Sequence, residues 1–451
     1  MFTKDKNFYR TLARLMVMVV LQNVIAYSVN MADNLMLGAY CQDALSGAAA
    51  VNMIQFMVQQ LTMAIGDSMI VINSQYWGAR NTSPIHKFTG LGVLAGLLLG
   101  GLVFVLTTSC PYWILGLFTG DEAIIAQGLA YLELIRFTYP IYILTTVLMA
   151  ALRSVETVGI SFAVSLLSLA VDVGINYTLI FGHFGFPEMG IRGAAVGTLT
   201  ARILELAVIL LYLGFRDQKL RLSVSRMFRI RAEYFRDFFK VLCTLFFTQI
   251  FWSIATPIQT GILGRLSSDA IAANSVSTTM FQYLKVVTVG EASASAVLMG
   301  RTVGSGDMDK IKSYSRTLQV MYLIFGLLLG LGLFLMRKPF LSIYTLTDEA
   351  RVMADQILIL MSFIMVGMAY QMPTGSGIIK GGGDVKFSLV VNLISTWGIV
   401  MPLSFLAAFY WKLPVVAVVA LLNSDQIFKC IPIAVRANRY RWIHRLAKPS
   451  K

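Results

Sequence analysis

Long apolar stretches run through this chain at roughly 12–38, 48–76, 89–109, 128–151, 160–182, 190–214, 239–264, 270–299, 317–336, 352–379, 386–410 and 413–435. An α-helix rises 1.5 Å per residue, so each stretch is long enough to cross about 30 Å of hydrocarbon. The pattern therefore predicts an all-α membrane protein with twelve transmembrane helices, numbered below as spans 1 to 12.

Two spans interrupt their apolar background in a regular way. In span 5, Ser161, Ser165, Ser168, Asp172 and Asn176 recur every three or four positions and form one polar stripe on a helix. Span 1 carries Asn23, Tyr27, Asn30 and Asn34 at similar spacing, with Gln22 and Asp33 beside them. In lipid such a stripe must face protein or a water-filled cavity, so spans 1 and 5 are expected to share a polar chamber. A carboxylate in hydrocarbon costs about 2.5–3.5 kcal/mol on insertion scales. Asp33 incurs that cost with no Lys or Arg from Leu15 through Ala79. This points to a transport protein with an ion-coupling site, and an oxygen-rich cluster of this kind suits either a proton or Na⁺.

The chain also repeats itself. A shift of 226 residues places Leu37, Gly38, Asp43 and Ala44 on Leu263, Gly264, Asp269 and Ala270, and Gly78 on Gly304. The run GLLLG at 96–100 returns at 326–330, and DEA at 121–123 returns at 348–350. Each half holds six spans, an even number, so both copies enter the membrane from the same side as parallel repeats. The expected division is an amino-terminal six-helix lobe at 1–222, a cytoplasmic linker at 223–240, and a carboxy-terminal lobe with a basic tail at 241–451. The repeat supplies an internal control. Asp33 falls on Gln259 at a shift of 226, and Asp172 falls on Ile399 and Asn176 on Leu403 at the shift of 227 that also carries DEA onto its copy. Helix packing alone therefore does not require the carboxylates, and the first half holds the titratable site.

Composition agrees with a membrane protein. Hydrophobic residues make up 57% and charged residues 13%, about half of the roughly 25% charge of a soluble domain. The net charge of +14 could suggest nucleic acid, but the basic residues follow loop parity instead of gathering on one surface. Lys4 to Arg14, Arg80 and Lys87, the run from Arg216 to Lys240, Arg301 to Arg316, Lys380 and Lys386, and Arg436 to Lys451 all fall on one side. That side is the cytoplasm by the positive-inside rule, with both termini there and the protein in the cell's inner (plasma) membrane. The first apolar stretch is too long for a cleavable signal peptide and is expected to remain as span 1.

Other candidate chemistry is sparse. Cys41, Cys110, Cys243 and Cys430 lack metal-ligand spacing, and a disulfide between Cys41 and Cys110 is left open. His86, His183 and His444 lie near loops, with no clustered metal or nucleophile motif, so neither an enzyme nor a cofactor is expected. Glu133 and Arg136, like Arg202 and Glu205, are three apart and can pair on one helix face. Lys285, Asp67, Glu291 and Asp425 remain as intramembrane charges; of these, Glu291 and Asp425 are candidate polar contacts in the second half. The Met, Phe and Tyr residues would supply adaptable walls for flat or cationic amphipathic ligands.

Four segments carry a family resemblance: ADNLMLGAYCQDALSGAAAV at 32–51, LRSVETVG at 152–159, MGIRGAAVGTLTAR at 189–202 and IKGGGDVK at 379–386. Together they resemble the multidrug and toxic compound extrusion (MATE) family. The resemblance places Asp33 at that family's coupling carboxylate in span 1 and Thr198 at a threonine lining the same lobe. In span 5 the family's Asn-x-x-x-Asp is exchanged for Asp172 and Asn176, and near the start of span 7 Gln249 stands where several members are acidic. The implied protein is a monomeric antiporter in membrane lipid, driven by an H⁺ or Na⁺ gradient. Its cargo would be amphipathic, cationic small molecules, exported as two lobes rock between inward-open and outward-open states. Cation coupling falls to Asp33, Asp172, Asn176 and Thr198, and substrate contact to Asn30, Tyr139, Gln249, Gln259, Glu291 and Asp425. A flippase for lipid-linked oligosaccharide or peptidoglycan precursors is the nearest rival and would call for a strongly cationic cavity. A major-facilitator transporter would show a Gly/Asp/Arg-rich loop where this chain has WGARNTSPIHK.

Overall fold

The computed structural model describes residues 3–227, 231–266, 268–344 and 346–447. Part of the expected linker, 228–230, and the end of the basic tail, 448–451, lie outside them. The chain is almost wholly helical, and each of the twelve expected spans has a helical counterpart. Among the described residues, ten helices are long and apolar enough to cross a membrane: Lys6–Tyr40, Gln42–Gly78, Ser83–Ser109, Gly159–Phe181, Ile191–Phe215, Ala232–Leu263, Met308–Leu341, Asp348–Ile379, Val385–Tyr410 and Val415–Asn438. An eleventh span is a bent pair, Glu122–Ile135 and Thr138–Ser154. The remaining one, span 8, is the 38-residue helix Ser268–Ser305, whose polar and charged side chains make it less apolar than the rest.

Span 4 bends by 51° where the sequence pattern predicts one continuous helix. Pro140 accounts for the break. Its ring collides with the carbonyl four residues earlier, at Arg136, which lies in the interruption between the two pieces. Spans 10 and 11 contain wider turns of π type at Pro373–Ile379, Leu393–Val400 and Leu406–Tyr410. Buried Gly375 and Gly377 belong to the first of these. A Cβ on Gly377 would lie 2.8 Å from the Ser295 Cβ of span 8, so the absent side chain lets the two helices approach closely.

The chain forms two compact units: Leu21–Asn73 with Thr82–Leu242, and Met1–Val20 with Ser74–Asn81 and Cys243–Lys451. This partition differs from a cut at 222, because the first turns of span 1 and the end of span 2 belong with the carboxy-terminal residues. In that unit, Thr3 donates its backbone N–H to Thr317, and the Tyr314 hydroxyl donates to Asp5. In the other unit, the residues after span 6 fold back over its loops. Asp217 accepts from the backbone N–H groups of Lys219, Leu220 and Arg221, and Lys219 Nζ donates to the carbonyls of Val155 and Glu156. The helix that contains span 7 begins at Ala232.

Glycines set the tightest contact in the unit that holds the carboxy terminus. A Cβ on Gly78 would lie 1.9 Å from the Arg301 carbonyl, and one on Gly304 would lie 1.9 Å from that of Gln75. The repeat shift carries Gln75 onto Arg301 and Gly78 onto Gly304, so the contact is reciprocal and runs backbone to backbone. The tail straps over the same place. The Gln75 amide donates to the His444 carbonyl and its oxygen accepts from the Leu446 N–H, while Arg445 donates to the Gly304 carbonyl. Fully buried Trp442 fills the space that a side chain at Gly382 would need.

Replacing Gly304 with Val should force these backbones apart and destabilise the fold by about 1–3 kcal/mol. Gly332, with no atom within 4 Å of an added Cβ, should accept Ala with a change under about 0.5 kcal/mol. Thermal unfolding of both purified variants in detergent checks the pair.

Candidate functional site

The polar stripe of span 5 is buried where it was expected to be. Asp172 is 1% exposed and Asn176 is 0% exposed, with Ser161 and Ser168 also buried. Asn176 lies one turn beyond Asp172 on the same face, and its amide nitrogen donates in two directions, to Asp33 Oδ1 at 2.7 Å and to Asp172 Oδ2 at 3.3 Å. One neutral donor thus ties the span 1 carboxylate to the span 5 carboxylate. Because both carboxylates accept from the same amide nitrogen, the two acids lie side by side.

Span 6 closes the site from the side. A Cβ on Gly197 would lie 1.9 Å from Asn176 Oδ1, so only glycine leaves room for the amide. The sequence reading passed over Gly197, although it occupies the small-residue run GAAVG directly before Thr198. Thr198 faces Asp172, and buried Tyr131 of span 4 adjoins Thr198 and both carboxylates. Tyr131 carried no signal in the sequence because its place depends on how the bent span 4 packs. Arg202, one turn beyond Thr198, pairs with Glu205 at 2.8 Å as expected and is the cation nearest the acids.

Several acceptors here find no protein hydrogen-bond partner among the described residues: Asp172 Oδ1, Asn176 Oδ1 and the Thr198 hydroxyl. With Asp33 they form an oxygen-rich set able to hold a proton or a small cation. No group of three or more His, Cys, Asp and Glu side chains placed to hold a metal ion occurs among the described residues.

The other expected contacts scatter. Asn30 is exposed, Gln249 and Gln259 are half-buried, and Tyr139 is fully buried in span 4. Glu291 is 1% exposed, with neither carboxylate oxygen partnered among the described residues. Asp425 does not stand as an isolated acid. Its Oδ2 accepts from Lys429 Nζ at 2.6 Å and its Oδ1 from Gln426 at 3.0 Å, so its charge is matched within the unit. Lys429 was missed, though its spacing four residues after Asp425 is the usual sign of a helix pair. Glu133 does not pair with Arg136; it bridges to Arg192 at 3.1 Å, because Arg136 sits in the bend of span 4 and turns over the Phe137 ring. Cys41 and Cys110 are free thiols.

Comparison with known proteins matches this architecture along nearly its whole length. The MatE family profile covers residues 19–178 and 245–406. The chain is 23% identical over 418 residues to the probable multidrug resistance protein YoeA of Bacillus subtilis (strain 168), a match spanning 91% of this chain and 89% of that one. It is 24% identical over 412 residues to the probable multidrug resistance protein NorM of Thermotoga maritima, spanning 90% and 87%. In fold it is similar to a MATE crystal structure in the bent conformation, with a TM-score of 0.88, 15% identity and 98% of each chain covered. A MOP superfamily transporter from Pyrococcus furiosus Vc1 (DSM3638) gives a TM-score of 0.87 at 15% identity, covering 99% of this chain and 100% of that one.

If Gly197 seats the Asn176 amide, Gly197→Ala should displace that amide and cut dye export by about tenfold at unchanged protein level. Gly174→Ala, in the same region but with nothing within 4 Å of the added carbon, should export normally. Efflux from cells expressing each variant separates the two outcomes.

Proposed function

Since the chain belongs to the MATE family of membrane transporters, we propose that it exports amphipathic small molecules in exchange for H⁺ or Na⁺. The observation that carries the reading is the single amide of Asn176 bridging Asp33 and Asp172. Two carboxylates so close repel when both are charged. A proton or Na⁺ between them removes that repulsion and lets the bridge close, and its loss favours any conformation in which water reaches the two acids separately. A site that alternates between these conditions as it faces opposite sides of the membrane links cation entry to cargo exit.

The residues proposed for coupling are Asp33, Asp172, Asn176 and Thr198, with Tyr131 and Gly197 holding the cluster in place. Cargo contacts are proposed at Asn30, Tyr139, Gln249, Gln259, Glu291 and Asp425. The basic residues, placed by loop parity, support cytoplasmic termini and a plasma-membrane location, and a monomer suffices because the coupling cluster lies within one chain. The relatives' names as multidrug resistance proteins support small, amphipathic cargo.

Reconstitution tests this directly. In proteoliposomes, an imposed H⁺ or Na⁺ gradient should drive a cationic dye against its own gradient, the cation moving inward as dye moves outward. Asp33→Asn should abolish the uphill movement while incorporating normally. Uphill transport by that variant, or indifference of the native protein to both gradients, would sink the reading.

A further inference from the structure

The carboxy-terminal unit contains a second polar cluster whose charge has the opposite sign. Lys285 lies near the middle of the helix Ser268–Ser305, about 25 Å or more from either end, and near the middle of the apolar stretch 270–299. Its ammonium stands 5.6 Å from the centre of the Trp252 ring, and the charge facing it is that of Asp425. Asp425, however, is already engaged by Lys429 and Gln426. Lys429 also donates to Asn392 Oδ1 at 2.9 Å, and Gln426 accepts from Gln371 at 2.7 Å.

The pair Asp425 and Lys429 is thus neutral, buried and held by amides. Lys285 is left in excess, with no carboxylate within ion-pair distance among the described residues. Unlike Asp425 and Lys429, which are 6% and 4% exposed, Lys285 is only half-buried, and the Trp252 indole beside it is 41% exposed. A cation held deep in a membrane helix beside an exposed aromatic face is suited to meet an anionic group attached to a flat ring.

We propose that Lys285 and Trp252 form an anion-recognising subsite for cargo, taking a carboxylate or similar acidic group carried on an aromatic amphipath, so that zwitterionic molecules are preferred over their purely cationic counterparts. Trp252 supplies the stacking surface. The pair of Asp425 and Lys429, fixed by Asn392 and Gln426, sets the position of the local negative charge and keeps it from neutralising Lys285. This deepens the export reading by naming a cargo class, and it rests on that reading only for calling the ligand cargo.

Equilibrium binding to the purified full chain tests it without any gradient, using rhodamine 110, which has a free carboxylate, and rhodamine 123, its methyl ester. The native protein should bind the acid about tenfold more tightly than the ester, the worth of one charge-assisted contact. Lys285→Gln should erase that preference by weakening the acid alone, and Lys285→Arg should keep it. Equal affinity of the native protein for both dyes, no binding of the acid, or equal weakening of both dyes by Lys285→Gln would overturn the proposal. Efflux of the ester by Lys285→Gln cells gives the separate readout: its persistence alongside lost acid preference supports the subsite, whereas a failure of export in the native protein removes the transport reading and leaves the binding result standing.

Discussion

Everything distinctive about the amino-terminal half turns on one hydrogen-bond donor being shared by two acids. A carboxamide carries no charge of its own to give, so the Asn176 side chain can orient Asp33 and Asp172 without neutralising either. An Arg or Lys in the same place would form a permanent salt bridge and leave the pair insensitive to the ions around it. The nearest cation, Arg202, is itself engaged by Glu205. Spans 4, 5 and 6 can therefore be read as a frame: Tyr131 and Thr198 flank the acids, and Gly197 lets the amide lie flat against its neighbour.

The internal repeat shows how one scaffold accommodates two chemistries. Where span 1 has Asp33, the matching turn of span 7 has Gln259, and the positions of Asp172 and Asn176 are occupied by Ile399 and Leu403. The second copy instead places its charges on spans 8 and 12, as Lys285 and the pair of Asp425 with Lys429. Duplication preserved the shared backbone contact at Gly78 and Gly304 while the polar side chains diverged. Contacts made through backbone atoms tolerate such drift, because they ask only that certain positions stay small.

Much of this was legible in the sequence because membranes simplify the code. Span lengths follow from bilayer thickness, and the polar stripe of span 5 was readable because helical period and lipid exclusion act together on Ser161, Ser168, Asp172 and Asn176. The illegible parts depend on contacts between distant segments. Glu133 was assigned to its neighbour three residues away, but the bend caused by Pro140 sends it to Arg192 instead. Asp425 was singled out as a candidate polar contact without Lys429, which pairs with it from one turn along the helix. Nothing in the hydropathy pattern announces that Ser74–Asn81 keeps company with residues beyond 243, since that grouping reflects who packs against whom.

The strap after span 12 is held largely through its main chain. Gln75 grips the carbonyl of His444 and the amide of Leu446, and neither bond depends on which side chain those residues bear. Two side chains add to this: Trp442 is chosen by shape, seated over Gly382, and Arg445 reaches the Gly304 carbonyl. Mutational drift could therefore rewrite most of this terminal stretch without moving it, much as a buckle accepts any belt of the right thickness, so long as that indole, that guanidinium and one bare α-carbon remain in place.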